Sequence, residues 1–144
     1  VAPNGSMVEI SGNAPGVVEY LEVGKTYLDG IAQIGAYDGI IRDRMKLALN
    51  GLVLVSLIVD EDDALMEDSM VALRGLPERA SNGADLVALI EDDIAAALAR
   101  MDAKTAADDD KIAEAIKRVV RQTCVSEIGK KPEVTTLVSR LMAD

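Results

Sequence analysis

The feature that most constrains this chain is the run Leu52-Val-Leu-Val-Ser-Leu-Ile-Val59, aliphatic at every position except Ser56. A short, continuous run rich in branched residues predicts a strand in the middle of a sheet, buried on both faces. Such a strand needs a neighbour on each side. The run is far below the ~20 apolar residues of a membrane helix, so no membrane partner is expected. Asp60-Glu61-Asp62-Asp63 stops it abruptly.

Two flanking segments can supply the neighbours. Residues 69–74, Ser-Met-Val-Ala-Leu-Arg, have strand composition and end at Gly75 and Pro77. Val134–Leu141 follows Pro132, which sits just outside it, and is expected to return beside Leu52–Val59. Between them the hydrophobic period changes. Over Ala84–Met101, Leu86, Ile90, Ile94 and Leu98 recur every four residues, widened by Val87 and Met101, and predict an amphipathic helix. Residues 103–107 read as a link. Asp108 is a good N-cap for a second helix, whose buried face is Ile112, Ile116, Val119 and Val120, and Gly129-Lys-Lys-Pro132 ends it. Upstream, Ile41, Met45 and Ala48 mark a short helix over 39–50 that Gly51 terminates. Residues 1–37 are broken by the turn signals Asn4-Gly5, Asn13-Ala-Pro-Gly16 and Asp29-Gly30 around strand-like pieces. The expected fold is α+β: a small three-stranded sheet packed on two helices, preceded by a β-rich arm or linker and a short junction helix.

The residue inventory removes most hydrolytic chemistry. The chain has no His and one Cys. Serine triads, cysteine–histidine pairs and zinc ligand sets therefore have no parts to work with, and no internal disulfide can form. Cys124 falls on an apolar helix face and reads as a core residue. The acidic groups Asp60–Asp63 with Glu67 and Asp68 lack the central Gly and the spacing of a calcium loop. Helix capping accounts for Asp108–Asp110. No Gly-Lys-Ser/Thr phosphate loop occurs.

Net charge is −10, unevenly spread. Residues 60–110 carry 15 acidic and 4 basic side chains, residues 111–144 carry 4 and 7. Lys117, Arg118, Arg121, Lys130 and Lys131 form the one basic concentration and are candidate contacts for RNA or an acidic partner; the competing reading is dipole complementation on a solvated face. Arg42, Asp43 and Arg44 are candidate ion-pairing residues at a domain junction. Aromatics are three scattered Tyr, a poor platform for stacking bases, so any RNA contact is expected to be weak.

Several strings, in order along the chain, resemble the C-terminal end of ribonuclease J. Asp38-Gly-Ile-Ile-Arg-Asp-Arg-Met-Lys-Leu-Ala-Leu-Asn-Gly51 followed by the apolar run is similar to that family's junction helix and first C-terminal strand. Val23-Gly-Lys-Thr-Tyr-Leu-Asp-Gly30 resembles its interdomain linker, and residues 1–10 the last piece of its metallo-β-lactamase domain. Lys130-Lys131-Pro132 before a strand is similar to the family's ending. The resemblance implies residues 1–37 as the end of the preceding domain plus linker, and 38–144 as the C-terminal accessory domain. It implies a parent that cleaves RNA hydrolytically, 5′-to-3′ exonucleolytically and endonucleolytically, with two zinc ions in His/Asp motifs. No position here matches those motifs, so the chain is expected to hold no cofactor and not to be a working enzyme by itself. The implied role is oligomer assembly and support of activity in the cytoplasm, with a homo-oligomer and the parent's catalytic domains as partners. The alternatives are an RNA-binding module using the basic C-terminal part and an unrelated small-molecule regulatory domain.

Overall fold

The computed structural model describes residues 1–12, 14–60 and 69–141. The chain divides into two units, Val1–Asp43 and Arg44–Asp144. The first unit holds two antiparallel hairpins. Strands β1 (Ser6–Glu9) and β2 (Gly16–Tyr20) pair with an irregularity between Met7 and Val8. Strands β3 (Thr26–Asp29) and β4 (Ala32–Gly35) pair from Thr26↔Gly35 to Asp29↔Ala32. That register leaves Gly30 and Ile31 as the loop, and Gly30 supplies the positive φ of 61° that a tight hairpin turn requires. The Asp29-Gly30 signal marks this turn, but β4 carries no strand signature: Ala-Gln-Ile-Gly has one β-branched residue and takes its conformation from pairing with β3.

Helix α1 (Gly39–Asn50) runs across the division between the units. Gly51 ends it with φ 76°. A side chain there would be strained by the backbone alone. A Cβ would also stand 2.6 Å from Leu76 Cγ and 3.0 Å from the Arg74 carbonyl oxygen. The Gly51 carbonyl accepts the first hydrogen bond from the last strand, Glu133 N–H at 3.0 Å.

Strand β5 (Leu52–Val59) is the centre of a three-stranded sheet in the order β6-β5-β7. Strand β6 (Met70–Arg74) pairs antiparallel to it, from Leu52↔Arg74 to Ser56↔Met70. The chain then passes through α2 (Leu86–Leu98), the single-turn α3 (Ala103–Ala106) and α4 (Asp109–Ile128). It returns as β7 (Glu133–Arg140), parallel to β5 along its whole length, from Leu52↔Glu133 to Val59↔Arg140. The apolar run thus has the neighbour on each side that its composition demands.

The core is aliphatic and lies on one side of the sheet. Val53, Val55, Leu57 and Val59 alternate along β5 and are fully buried, with Leu86, Ile90 and Ile94 of α2 and Ile112, Ile116, Val120 and Cys124 of α4. The other side differs from the sequence expectation of a strand covered on both faces. Leu54 is 37% exposed, and Met70 and Leu137, which flank Ser56 on the same face, are 71% and 62% exposed. The composition is that of a doubly covered strand, but the helices cover only one face.

Caps fix the helix ends. Asp85 accepts from Val87 N–H and Ala88 N–H at 2.9 and 3.1 Å. Residues 103–106, read as a link from sequence, form a turn of helix because Asp102 accepts from both Thr105 N–H and Thr105 Oγ1. The Thr105 bonds, side chain first, lower the Asp102 pKa from its ordinary 3.8. Asp108 caps α4 through Lys111 N–H at 3.2 Å and pairs with Lys111 Nζ at 2.7 Å. Gly129, in the left-handed region, closes the far end, donating to Val125 O while Lys130 N–H reaches Cys124 O.

Two outcomes follow from these contacts. Gly51→Ala should lower unfolding stability by about 2 kcal/mol or more, left-handed strain plus displacement of Leu76, while Gly83→Ala, with φ 84° and open space, should cost about 1 kcal/mol. Urea unfolding that gives equal losses for the two would refute the close-packing role of Gly51. The Asp108 carboxyl is held below its ordinary 3.8, first by its bond to the Lys111 ammonium and then by Lys111 N–H. A carboxyl depressed by folding stabilises above its unfolded pKa, and that contribution disappears as pH falls through the lower folded value. Melting temperatures should therefore favour wild type over Asp108→Asn at neutral pH, with the gap closing below 3.8. A gap independent of pH would show that the charge does not matter there.

Candidate functional site

The most distinctive cluster grows out of one helical face. On α4, Glu114, Lys117, Arg118 and Arg121 follow the i, i+3, i+4, i+7 spacing that aligns side chains along a helix. This stripe is rotated away from Ile112, Ile116 and Val120, which face the sheet. After the Gly129 turn, Lys131 comes back beside it. The five side chains line a cleft of about 240 Å³. Among the described residues no apolar residue contributes to its lining.

The cations in it are not equally committed. Arg121 Nε donates to the Pro132 carbonyl at 3.2 Å, and its guanidinium lies 3.5 Å from Glu133 Oε2. Arg121 thus ties α4 to the start of β7. Lys117 Nζ lies 3.2 Å from Glu114 Oε1. Among the described residues no hydrogen bond or ion pair engages the side chain of Arg118 or Lys131. Lys130 leaves the group: its ammonium donates to the Leu49 carbonyl at 3.2 Å, at the electronegative end of α1. The five basic residues that stand out in the sequence therefore separate into a cluster of four and one helix-end contact. Arg42, Asp43 and Arg44 lie on exposed positions of α1 at the point where the chain divides.

Other candidates resolve into structural parts. Cys124 is fully buried, and burial pushes its thiol up to about 11, so it remains a neutral core group. Asp108 is a cap, and Asp109 Oδ1 accepts from Arg140 Nε at 2.7 Å. Arg140 also donates to the Ala106 carbonyl at 2.7 Å, pinning the end of β7 to the α3–α4 corner. Sequence reading missed this residue; its signal was its place in the inward-pointing series Val134, Thr136, Val138, Arg140. The hydroxyl of Thr123, nearly buried, donates to Asp93 Oδ2 at 2.6 Å and joins α4 to α2. In the acidic group after β5, residues 61–68 lie outside the described residues. Among the described residues no group of three or more His, Cys, Asp or Glu could hold a metal ion, and no helix is long and apolar enough to cross a membrane.

The second surface is the uncovered face of the sheet. Leu54, Met70, Ala72, Thr135, Leu137 and Ser139 occupy it with Ser56 and Ile58, all uncharged. Charged side chains enter at one end of this register, where Arg74 and Glu133 flank Leu52.

Fold and site together define a small α+β domain, a mixed three-stranded sheet backed by two long helices, with no metal-holding cluster among its described residues. Comparison with known proteins specifies which. The family model of the ribonuclease J C-terminal domain matches residues 39–141, and the chain belongs to that family. It is 30% identical over 139 residues to a ribonuclease J of Sinorhizobium meliloti, covering 96% of this chain. The match spans only 24% of that relative's length.

Replacing Arg140 by Met keeps the stem but removes its two bonds at the α3–α4 corner. Since the side chain is only 25% exposed, the loss should be about 1 kcal/mol, against less than about 0.5 kcal/mol for Lys117→Met, whose pair is more exposed. Equal losses in denaturant unfolding would contradict the pinning role.

Proposed function

We propose that this chain is the assembly and support domain of a ribonuclease J-like RNA-degrading and RNA-processing nuclease, and does no chemistry itself. In this reading a zinc-dependent 5′-to-3′ exo- and endonuclease activity resides in catalytic domains outside these 144 residues. The absence of His supports it, because His/Asp zinc motifs cannot be built from this composition. The single Cys, unable to form an internal disulfide, fits a reducing cytoplasm.

The observation that carries the assembly role is the open sheet face. A strand as apolar as β5 is ordinarily covered on both sides. Here Leu54, Met70 and Leu137 remain in water. The eight-residue strands β5 and β7 with the five-residue β6 make a face of at most about 26 by about 14 Å. That is under half the roughly 800 Å² per partner of a standard interface, so flanking surface must join it. The uncharged middle suits contact with another copy, since two chains of net charge −10 repel wherever charged surfaces meet. Face-to-face stacking of two such sheets about 10 Å apart would cover both.

Sedimentation of the chain near 100 µM (about the range where weak dimers form) should show an oligomer. Leu137→Lys with Met70→Lys should give a monomer whose melting temperature is nearly unchanged, because both side chains are exposed in the single chain. A monomeric wild-type chain, or a variant of unchanged size, would overturn the assembly role.

A further inference from the structure

The basic cleft is not needed for assembly through the sheet, and the core does not use it. We propose that Lys117, Arg118, Arg121 and Lys131 hold the phosphodiester backbone of single-stranded RNA, without reading its sequence. Three observations lead there. First, four cations surround one cleft of about 240 Å³ in a chain whose net charge is −10. Charge of this sign is costly to gather on one face unless anions offset it; among the described residues Glu114 lies 3.2 Å from Lys117 and Glu133 3.5 Å from Arg121, which leaves Arg118 and Lys131 for a further anion. Second, the side chains of two of the four, Arg118 and Lys131, are engaged by no hydrogen bond or ion pair of the described residues. Arg121 is already oriented by the Pro132 carbonyl, which leaves a guanidinium edge fixed in place beside them. Third, among the described residues the lining contains no apolar or aromatic side chain.

The third point selects the partner. A protein docks by burying aromatic or aliphatic anchors in a desolvated centre, and this cleft has nowhere to put one. A nucleic acid backbone needs only neutralised phosphates, and gains its affinity from released counterions. Without rings to stack bases, binding must be indifferent to sequence and strongly dependent on salt. The acidic charge on the rest of the chain does not forbid this. Beyond a Debye length of about 8 Å it is screened, and the local cluster decides the potential that a bound phosphate feels. The geometry also assigns Glu114 a restraining role: its carboxylate neutralises Lys117 at 3.2 Å and faces any bound phosphate.

The test is fluorescence anisotropy of a labelled RNA of about 12 nucleotides and mixed sequence, titrated with the 144-residue chain between about 50 and about 200 mM salt. Wild type should bind, with affinity falling linearly in the log–log plot. Arg118→Gln/Lys131→Gln should reduce the slope by about 1.4, for two phosphate contacts on a single strand, and weaken binding about tenfold near 0.1 M salt. Lys130→Gln removes one such charge, from a side chain that points to Leu49, and should leave the slope unchanged. Glu114→Gln should tighten binding, a gain that a misfolded variant cannot imitate. Matching melting curves verify that the double variant folds. No binding at about 50 mM salt, equal effects of Lys130→Gln and the double variant, or preference for a polyglutamate peptide over RNA would each overturn the proposal. Because the readout is slope and affinity rather than molecular size, its failure leaves the assembly reading untouched.

Discussion

Everything in the second unit depends on β5 being covered by helices on one side and by strands at both edges. Its inward residues Val53, Val55, Leu57 and Val59 meet the stripes of α2 and α4. A core without Phe or Trp must fill its volume with many branched aliphatics, each of which packs only if the layers stay in register. That register is set at the ends rather than the middle. Gly51 starts β5 and accepts the first bond of β7, while Arg140 locks the far end of β7 to the α3–α4 corner. The helix caps Asp85 and Asp108 hold the stripes at the correct phase over the sheet.

Where the sequence was legible, one force acted alone. The α2 and α4 stripes, the Gly51 and Gly129 stops and the Asp108 cap each follow from local chemistry, and the structure places them as read except that Val119 is only half-buried and Thr123 and Cys124 extend the buried face of α4 instead. The return of Val134–Leu141 beside Leu52–Val59 was legible because a greasy central strand tolerates no bare edge. The illegible parts depend on partners. Strand β4 exists because β3 offers it hydrogen bonds, and its own residues do not ask for a strand. The α3 turn depends on a bifurcated cap from Asp102, hidden in a segment of small residues. The open face of β5 could not be read either, since a hydrophobic run reports that water is unwelcome without saying which neighbour excludes it.

The candidate site shows the same division. Glu114, Lys117, Arg118 and Arg121 share a face by helical spacing, so their convergence was readable in outline. Lys131 joins them only because the Gly129 turn reverses the chain. Its neighbour Lys130 is carried to the other side, to the end of α1, by the same turn. Adjacent residues with identical charge thus have different surroundings, a distinction that composition cannot carry.

The two surfaces are compatible because they occupy opposite layers. The basic cleft is built on α4 and its exit, on the helix layer, whereas the uncharged apolar face belongs to the sheet's other side. An assembly formed through the sheets would leave the cleft of each copy open and would multiply the number of cationic sites. Weak individual contacts to a polyanion become useful under that arrangement, because one strand can reach a second cleft at a high effective concentration. The same arrangement would reconcile a net charge of −10 with the proposed RNA contact. In the proposed arrangement it would repel RNA over most of its surface and hold it only at the clefts.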